Sequence, residues 1–325
     1  MNRKPLIILA AAVTAMVMGA CEKVIDFTGG YTDPELVMVS QPEADSVWRI
    51  KLTQSKFFLG NDSIATIKSA NFDLSVNGRS VNSFPIHEGG GVFNTGITPH
   101  EGDSLAVRIT VPDKGTLSAS CRIPKRPVIT DAVVEWDTTH YTYTEYGYSG
   151  DSTREYTYIN GSANIKFKIH DPAGEHNYYM VRVANTYDDG SIDYRYITIN
   201  DEMLFEVDAT DEAFDLGLSI EENQGQRVCF SDDRIDGHIH SVTVYTNCYA
   251  SYDGTGWFRF KLEVYSVSRD LYLYWRTVRA AQESDEIFSQ IISEPVQVHC
   301  NVDGGIGILG GMSGVSIPLV SIFKK

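Results

Sequence analysis

The sequence predicts a mainly β chain, an antiparallel sandwich followed by a second, larger β-sandwich domain with one packed helix near 268–284. Three observations predict it. Apolar and polar residues alternate at period two in segment after segment, as strands with one buried face require. Gly, Pro, Asn and Asp punctuate those segments at short intervals, which suits hairpins rather than helical crossovers. One stretch alone breaks the pattern: Leu271, Trp275, Val278 and Gln282 recur at helical spacing.

The first module begins near residue 34. Trp48, Ile50 and Leu52 alternate with Arg49, Lys51 and Thr53. Phe72, Leu74 and Val76 alternate with Asp73 and Ser75, and Asn77-Gly78 then supplies a tight hairpin turn. Leu105, Val107, Ile109 and Val111 form the next strand, and Pro112-Asp113-Lys114-Gly115 turns it back through Thr116 to Ile123. The strand ending in Val-Asn-Gly is similar to that of prealbumin-like modules of bacterial surface proteins. The first sandwich is therefore expected to be Ig-like/prealbumin-like, spanning 34–122.

Ile123-Pro124-Lys125-Arg126-Pro127 reads as a connector over 123–127, because two prolines cannot pair inside a central strand. A loop within one larger domain is the alternative. The second module, 128–325, opens on tyrosines. Tyr141 and Tyr143 share one face of a strand, as do Tyr156 and Tyr158 of another, with Glu145 to Arg154 as the intervening turn. They form a candidate binding surface for a sugar, peptide or protein; cross-strand tyrosine packing is the plainer reading. Ala163 to Ile169, Tyr179 to Val183 and Phe258 to Val264 alternate in the same way, with turns at Asp171–Asn177 and Asp188-Asp189-Gly190. Ser268 is the expected N-cap of the helix, with Asp270 in its first turn. A strand at Val296–Cys300 and a glycine-rich end follow.

The amino terminus reads as an address. Arg3 and Lys4 precede a short apolar run from Pro5 to Val17, then Met18-Gly19-Ala20-Cys21. This order is that of a bacterial lipoprotein leader over 1–20, too short to remain as a membrane-spanning helix. Cleavage before Cys21 and acylation of its thiol would leave a tether over 21–33 and a chain held at the membrane. Met18 departs from the Leu usual at that position, and an ordinary signal peptide is the alternative.

Composition bounds the partners. The 325 residues are 42% hydrophobic and 11% aromatic, enough for packed cores, and carry a formal charge of -16. Such a surface repels phosphate backbones, so no nucleic acid partner is expected, and anionic lipid would not attract it. Beyond Cys21, Cys121 and Cys300 follow core-facing alternation and are expected as buried thiols. Cys229 and Cys248 are either a bridge or two thiols.

The search for chemistry yields no catalytic residue and no cofactor. Gly305-Ile306-Gly307-Ile308-Leu309-Gly310 fits a dinucleotide fingerprint literally, but Pro318 and the chain end leave no room for the helix and acidic residue it needs. Its glycines are read as allowing close backbone approach. His87-Glu88 lacks a second histidine at Gly91, and Gly311-Met312-Ser313-Gly314-Val315 lacks the last glycine of a nucleophile elbow. His238 and His240, near Asp232, Asp233 and Asp236, are weak candidate metal ligands; a strand start after an acidic turn is the plainer reading.

Several stretches carry a resemblance in order. They are Cys21–Asp26, Pro112–Thr116, Arg122–Asp131, Asp171–Tyr179, Phe230–Asp232 with Asp236-Gly237, Leu271–Gln282, Glu294–Val296 and Asn301–Gly311. Together they resemble a Bacteroidota family of envelope lipoproteins defined by a domain of unknown function, DUF4249. The resemblance implies an outer-membrane lipoprotein linked with TonB-dependent receptors, and it transfers no catalytic or binding residue. The expected function is a non-enzymatic accessory or binding component of a TonB-dependent uptake or envelope assembly system. An envelope hydrolase acting on glycan or peptide is the alternative. Both the periplasmic and the cell-surface face remain open, because Glu22–Asp26 is not a dense acidic run.

Replacing Cys21 by Ala should release the protein from the membrane fraction or leave it unprocessed. Normal processing with unchanged membrane retention would overturn the lipid anchor.

Overall fold

The alternation seen in the sequence becomes nineteen strands in the computed structural model, which describes residues 33–56, 63–146, 153–187, 189–205, 223–249, 256–288 and 296–323. Side chains within 137–161, 248–258, 283–288 and 320–323 are outside that description, as are the expected leader, Cys21 and residues 22–32 of the expected tether. The protein is mainly β.

The first sandwich uses β1 (Leu36–Ser40), β2 (Arg49–Gln54), β3 (Asn71–Val76), β4 (Arg79–Val81), β5 (Ile86–Gly89), β6 (Val92–Asn94), β7 (Ser104–Val111) and β8 (Gly115–Arg122). Its four-stranded sheet runs β4-β3-β7-β8, antiparallel throughout. The opposing sheet runs β1-β2-β6-β5, also antiparallel. Met38, Ile50 and Leu52 from one sheet meet Leu74, Leu105, Ile109 and Leu117 from the other. Trp48 is fully buried and satisfies its indole by donating to Ser40 Oγ at 2.8 Å. The Asn77-Gly78 turn forms as expected. Both residues take positive φ, 53° and 72°, as the twist of a two-residue hairpin demands.

The second sandwich comprises β9 (Val128–Tyr146), β10 (Thr153–His170), β11 (Tyr178–Thr186), β12 (Ile192–Tyr194), β13 (Ile197–Thr198), β14 (Gln224–Gly225), β15 (Val228–Ser231), β16 (Ile239–Tyr249), β17 (Gly256–Val267) and β19 (Met312–Phe323). One sheet runs β14-β13-β16-β10-β9 and the other β12-β11-β17-β19, with β15 also on β11. Ile165, Phe167, Val242 and Val244 of the first pack on Tyr179, Val181, Leu262 and Val264 of the second.

The expected helix spans Arg269–Phe288. Ser268 caps it, its Oγ accepting from Leu271 N at 3.4 Å and its carbonyl from Tyr272 N at 3.0 Å. Leu271, Tyr272 and Trp275 pack on Met180, Tyr265 and Val267, the outer face of the second sheet. No helix among the described residues is long and apolar enough to cross a membrane.

After the helix the chain does what period-two reading does not foresee. Val296–Cys300 is not a strand. It runs along the helix instead, where His299 N donates to Thr277 Oγ at 2.8 Å and His299 Nε2 pairs with Asp270 at 2.9 Å. A helix side chain thus takes up the His299 N–H that a ladder would otherwise use. Cys300 is accordingly exposed, not buried, whereas Cys121 packs at the first core and burial pushes its thiol up to about 12. Cys229 is buried on β15, and the side chain of Cys248 is outside the description.

The chain then returns to the first sandwich. β18 (Ile306–Leu309) pairs in parallel with β1, the one parallel pairing of named strands among the described residues. Asp303 exchanges two backbone hydrogen bonds with Ser118 on β8. Asn301 closes the loop by bonding both backbone groups of Leu309 at 2.9 Å. Val302 and Leu309 join the first core, while Ile308 faces the helix cluster. Residues 34–56 and those from 63 onward thus belong to one compact unit with two distinct sandwich cores.

The glycines of this return have the role read from sequence. A Cβ on Gly307, which has φ of 129°, would stand 1.8 Å from the Met38 carbonyl oxygen. Gly307→Ala should therefore cost about 2 kcal/mol or more in urea unfolding, against about 1 kcal/mol for Gly78→Ala, where no atom stands within 4 Å. Equal costs would show that the close approach of β18 to β1 is unimportant.

Candidate functional site

Two stretches that are remote in sequence interlock at one end of the second sandwich. Asp171 directly follows β10 and begins the turn to Tyr178; Asp232 and Asp236 lie in the turn between β15 and β16. Asp171 accepts from Tyr179 Oη at 2.5 Å and from Gly237 N at 2.9 Å. Asp232 Oδ2 accepts from Asn177 N at 2.7 Å and Asn177 Nδ2 at 3.0 Å, and Asp232 N donates back to Asn177 O. Asp236 accepts from Gly174 N at 2.8 Å. Each turn is therefore pinned by the other turn's carboxylates.

Two sets of ligand-type atoms, His176–Asp232–Asp233 and Asp171–Asp232–Asp236, each lie within 4.8 Å of one another. In the second set each carboxylate already accepts from backbone or side-chain donors, which is the chemistry of a structural lock. Asp232 is 1% exposed, and burial raises its carboxyl above the ordinary 3.8 although the Asn177 bonds pull the other way. The same burial, with Asp171 beside it, pushes the Tyr179 hydroxyl up.

The lock forms one wall of a cleft of about 680 Å³. The connector 123–127 forms the facing wall, and Ser266 to Arg269 the floor. The connector's two charges reach opposite sandwiches. Arg126 pairs with Asp45 and with Glu101, the latter at 3.0 Å, while Lys125 stands 4.0 Å from Glu175. These pairs are exposed and contribute little energy, but they set the connector's path.

The sequence-chosen residues lie elsewhere. β9 and β10 continue pairing to Tyr146 and Thr153, farther than the Glu145–Arg154 turn expected for them. Tyr141 stands opposite Tyr158 and Tyr143 opposite Tyr156 in the backbone register of this ribbon. β16 pairs with β10 only from Asn160 onward, leaving the ribbon two-stranded among the described residues. The side chains of all four tyrosines are outside the description. His238 and His240 do not converge. His238 Nδ1 contacts the Asp236 carbonyl at 2.6 Å, and His240 Nε2 pairs with Asp201 at 2.6 Å. The imidazole beside Asp232 and Asp233 is His176, 3.5 and 3.3 Å away, from the other turn. Sequence reading placed both turns in order, but only the fold pairs them.

The sequence profile of DUF4249, a domain of unknown function, matches residues 22–317. No curated protein matches the chain. Among solved structures it is similar to the Enterococcus faecalis MSCRAMM ACE, described as binding its ligands by the collagen hug model. Identity is 9%, coverage 92% of this chain and 97% of that one, and the TM-score 0.19. A second is the collagen-binding domain of the Erysipelothrix rhusiopathiae surface protein RspB, at 9% identity, 87% and 96% coverage and a TM-score of 0.15. Scores this low carry no argument about ligands.

A raised folded pKa means that the folded state holds the Asp232 proton to higher pH than the unfolded chain does. Ionisation of Asp232 therefore removes stability as pH climbs from 3.8 through the folded value. Asp232→Asn keeps an acceptor oxygen and cannot ionise. Its unfolding free energy relative to wild type should improve across that window. A difference flat with pH would refute the buried-carboxylate account.

Proposed function

The chain belongs to the DUF4249 family, and on that premise we propose that it is an outer-membrane lipoprotein of a Bacteroidota envelope. It acts as a non-enzymatic accessory or binding component of a TonB-dependent uptake or envelope assembly system. The observation that carries this reading is the leader ending at Cys21, which supplies both an address and an anchor. An acidic chain at formal charge -16 is poorly suited to nucleic acid and needs such an anchor to stay at a membrane.

Two structural features support a binding role. The buried carboxylates Asp171 and Asp232 hold turns together, whereas a hydrolase needs carboxylates turned towards substrate. The β9–β10 ribbon extends past its sheet and sets Tyr141 opposite Tyr158 and Tyr143 opposite Tyr156 in register, with Glu145 opposite Arg154 next along. Tyrosine combines large contact area with a polar tip, which suits contact with a receptor's loops.

Joint replacement of the four tyrosines by Ser should lower recovery of a TonB-dependent receptor in pull-downs from detergent-solubilised envelope, with folding and membrane attachment intact. Unchanged recovery would remove the ribbon from the contact. Turnover of an envelope glycan or peptide, abolished by a single carboxylate substitution, would defeat the non-enzyme reading.

A further inference from the structure

The cleft between the connector and the Asp171–Tyr179 turn lies at the opposite end of β9 and β10 from the tyrosine ribbon. We propose that this cleft binds a small carboxylate-bearing ligand, held by Arg122 and Lys125 against the His176 and Tyr178 rings. The inference is independent of whether a receptor is the protein's partner.

Charge is the first argument. The whole chain stands at -16, yet this lining gathers Arg122, Lys125, Arg126 and Arg269 against only Asp171 and Glu175. Asp171 is occupied by Tyr179 and Gly237, and Arg126 by Asp45 and Glu101. Among the described residues Arg122 is exposed and makes no ion pair, and Lys125 reaches Glu175 only at 4.0 Å. A guanidinium at the mouth of a cleft is suited to a planar carboxylate, which it can hold through two parallel hydrogen bonds.

The floor is the second. Phe230, Tyr179, Ser266 and Ser313 are successive cross-strand partners, so their side chains form one row on the inner face. Ser266 lines the cleft, and its neighbour Ser313 is 0% exposed with a hydroxyl that has no hydrogen-bond partner. A buried hydroxyl without a partner is costly, and it lies one strand in from the Ser266 that lines the cleft.

Shape is the third. A cleft of about 680 Å³ accommodates a molecule the size of a short peptide or an acidic disaccharide. Along one wall the His176 and Tyr178 rings lie 16° from parallel at 6.4 Å, and Tyr178 is backed by Tyr272 at 4.7 Å. These rings offer π faces and edges for a ligand body whose carboxylate points to Arg122.

The test is calorimetry on the detergent-solubilised full chain with three probes: tri-alanine, tri-alanine amide and digalacturonate. Saturable binding of tri-alanine but not its amide, about tenfold weaker in Arg122→Gln and in Lys125→Gln, supports the site with a peptide carboxylate as source. The same dependence with digalacturonate alone supports it with an acidic sugar as source. Arg79→Gln, on β4 of the first sandwich, serves as the surface-charge control and should bind like wild type. The proposal is overturned if no probe binds, if the amide binds as well as the acid, or if Arg122→Gln and Lys125→Gln leave affinity unchanged.

Discussion

The close approach of β18 to β1 is the constraint on which the arrangement of the chain depends. β18 enters the first sheet more than two hundred residues after β1 left it, and does so in parallel. Gly307 permits it by presenting no Cβ to the Met38 carbonyl. The consequences spread from there. Gly310 N donates to Ser40 O, and Met312 exchanges backbone hydrogen bonds with Pro42 and Ala44 as the chain crosses into β19. Ser268 N donates to Gly311 O, so the start of the helix is set by the same passage. Ile308 packs beside Leu271 and Tyr272, which places the helix between β18 and the outer face of the second sheet. Loop closure over so long a span costs entropy, and the burial of Val302, Ile308 and Leu309 offsets it.

The cleft is a product of that geometry. Its floor is the junction of β17 with the helix, its facing wall is the connector, and its remaining wall is the carboxylate lock. The lock is built at some expense, since Asp232 is ionisable and nearly inaccessible to water. Its several backbone and side-chain donors reduce that expense and fix the turn bearing Glu175, His176 and Tyr178. A turn held this firmly can present rings and charges to a ligand without ordering them on binding.

A second polar group of similar kind lies on the outer face of the second sheet. Arg182 donates to Glu263 at 2.7 Å and lies over the rings of Tyr194 and Tyr265, at 4.5 and 5.2 Å, while Lys261 holds the other Glu263 oxygen. Glu43, whose carboxyl burial pushes up, belongs to the same electrostatic neighbourhood and bridges to Met312. The Glu43–Met312 backbone bridge ties the segment between β1 and β2 to the sheet that carries the helix, beside this charged cluster.

Local pattern by itself determined the β character, the Asn77-Gly78 hairpin and the capped helix after Ser268, because each depends on neighbours within a few residues. Tertiary structure decided what those patterns cannot encode. Val296–Cys300 alternates like a strand, yet it joins no sheet, His299 N bonds Thr277 of the helix, and Cys300 is exposed. His238 and His240 look like a pair, yet Asp201 from a distant turn takes one of them. The Asp171–Tyr179 and Phe230–Gly237 stretches are both visible in the sequence, but that they close on each other follows only from the registers of β11 with β15 and of β10 with β16. Register and long-range return are set by the summed packing of whole sheets, which no short window of sequence contains.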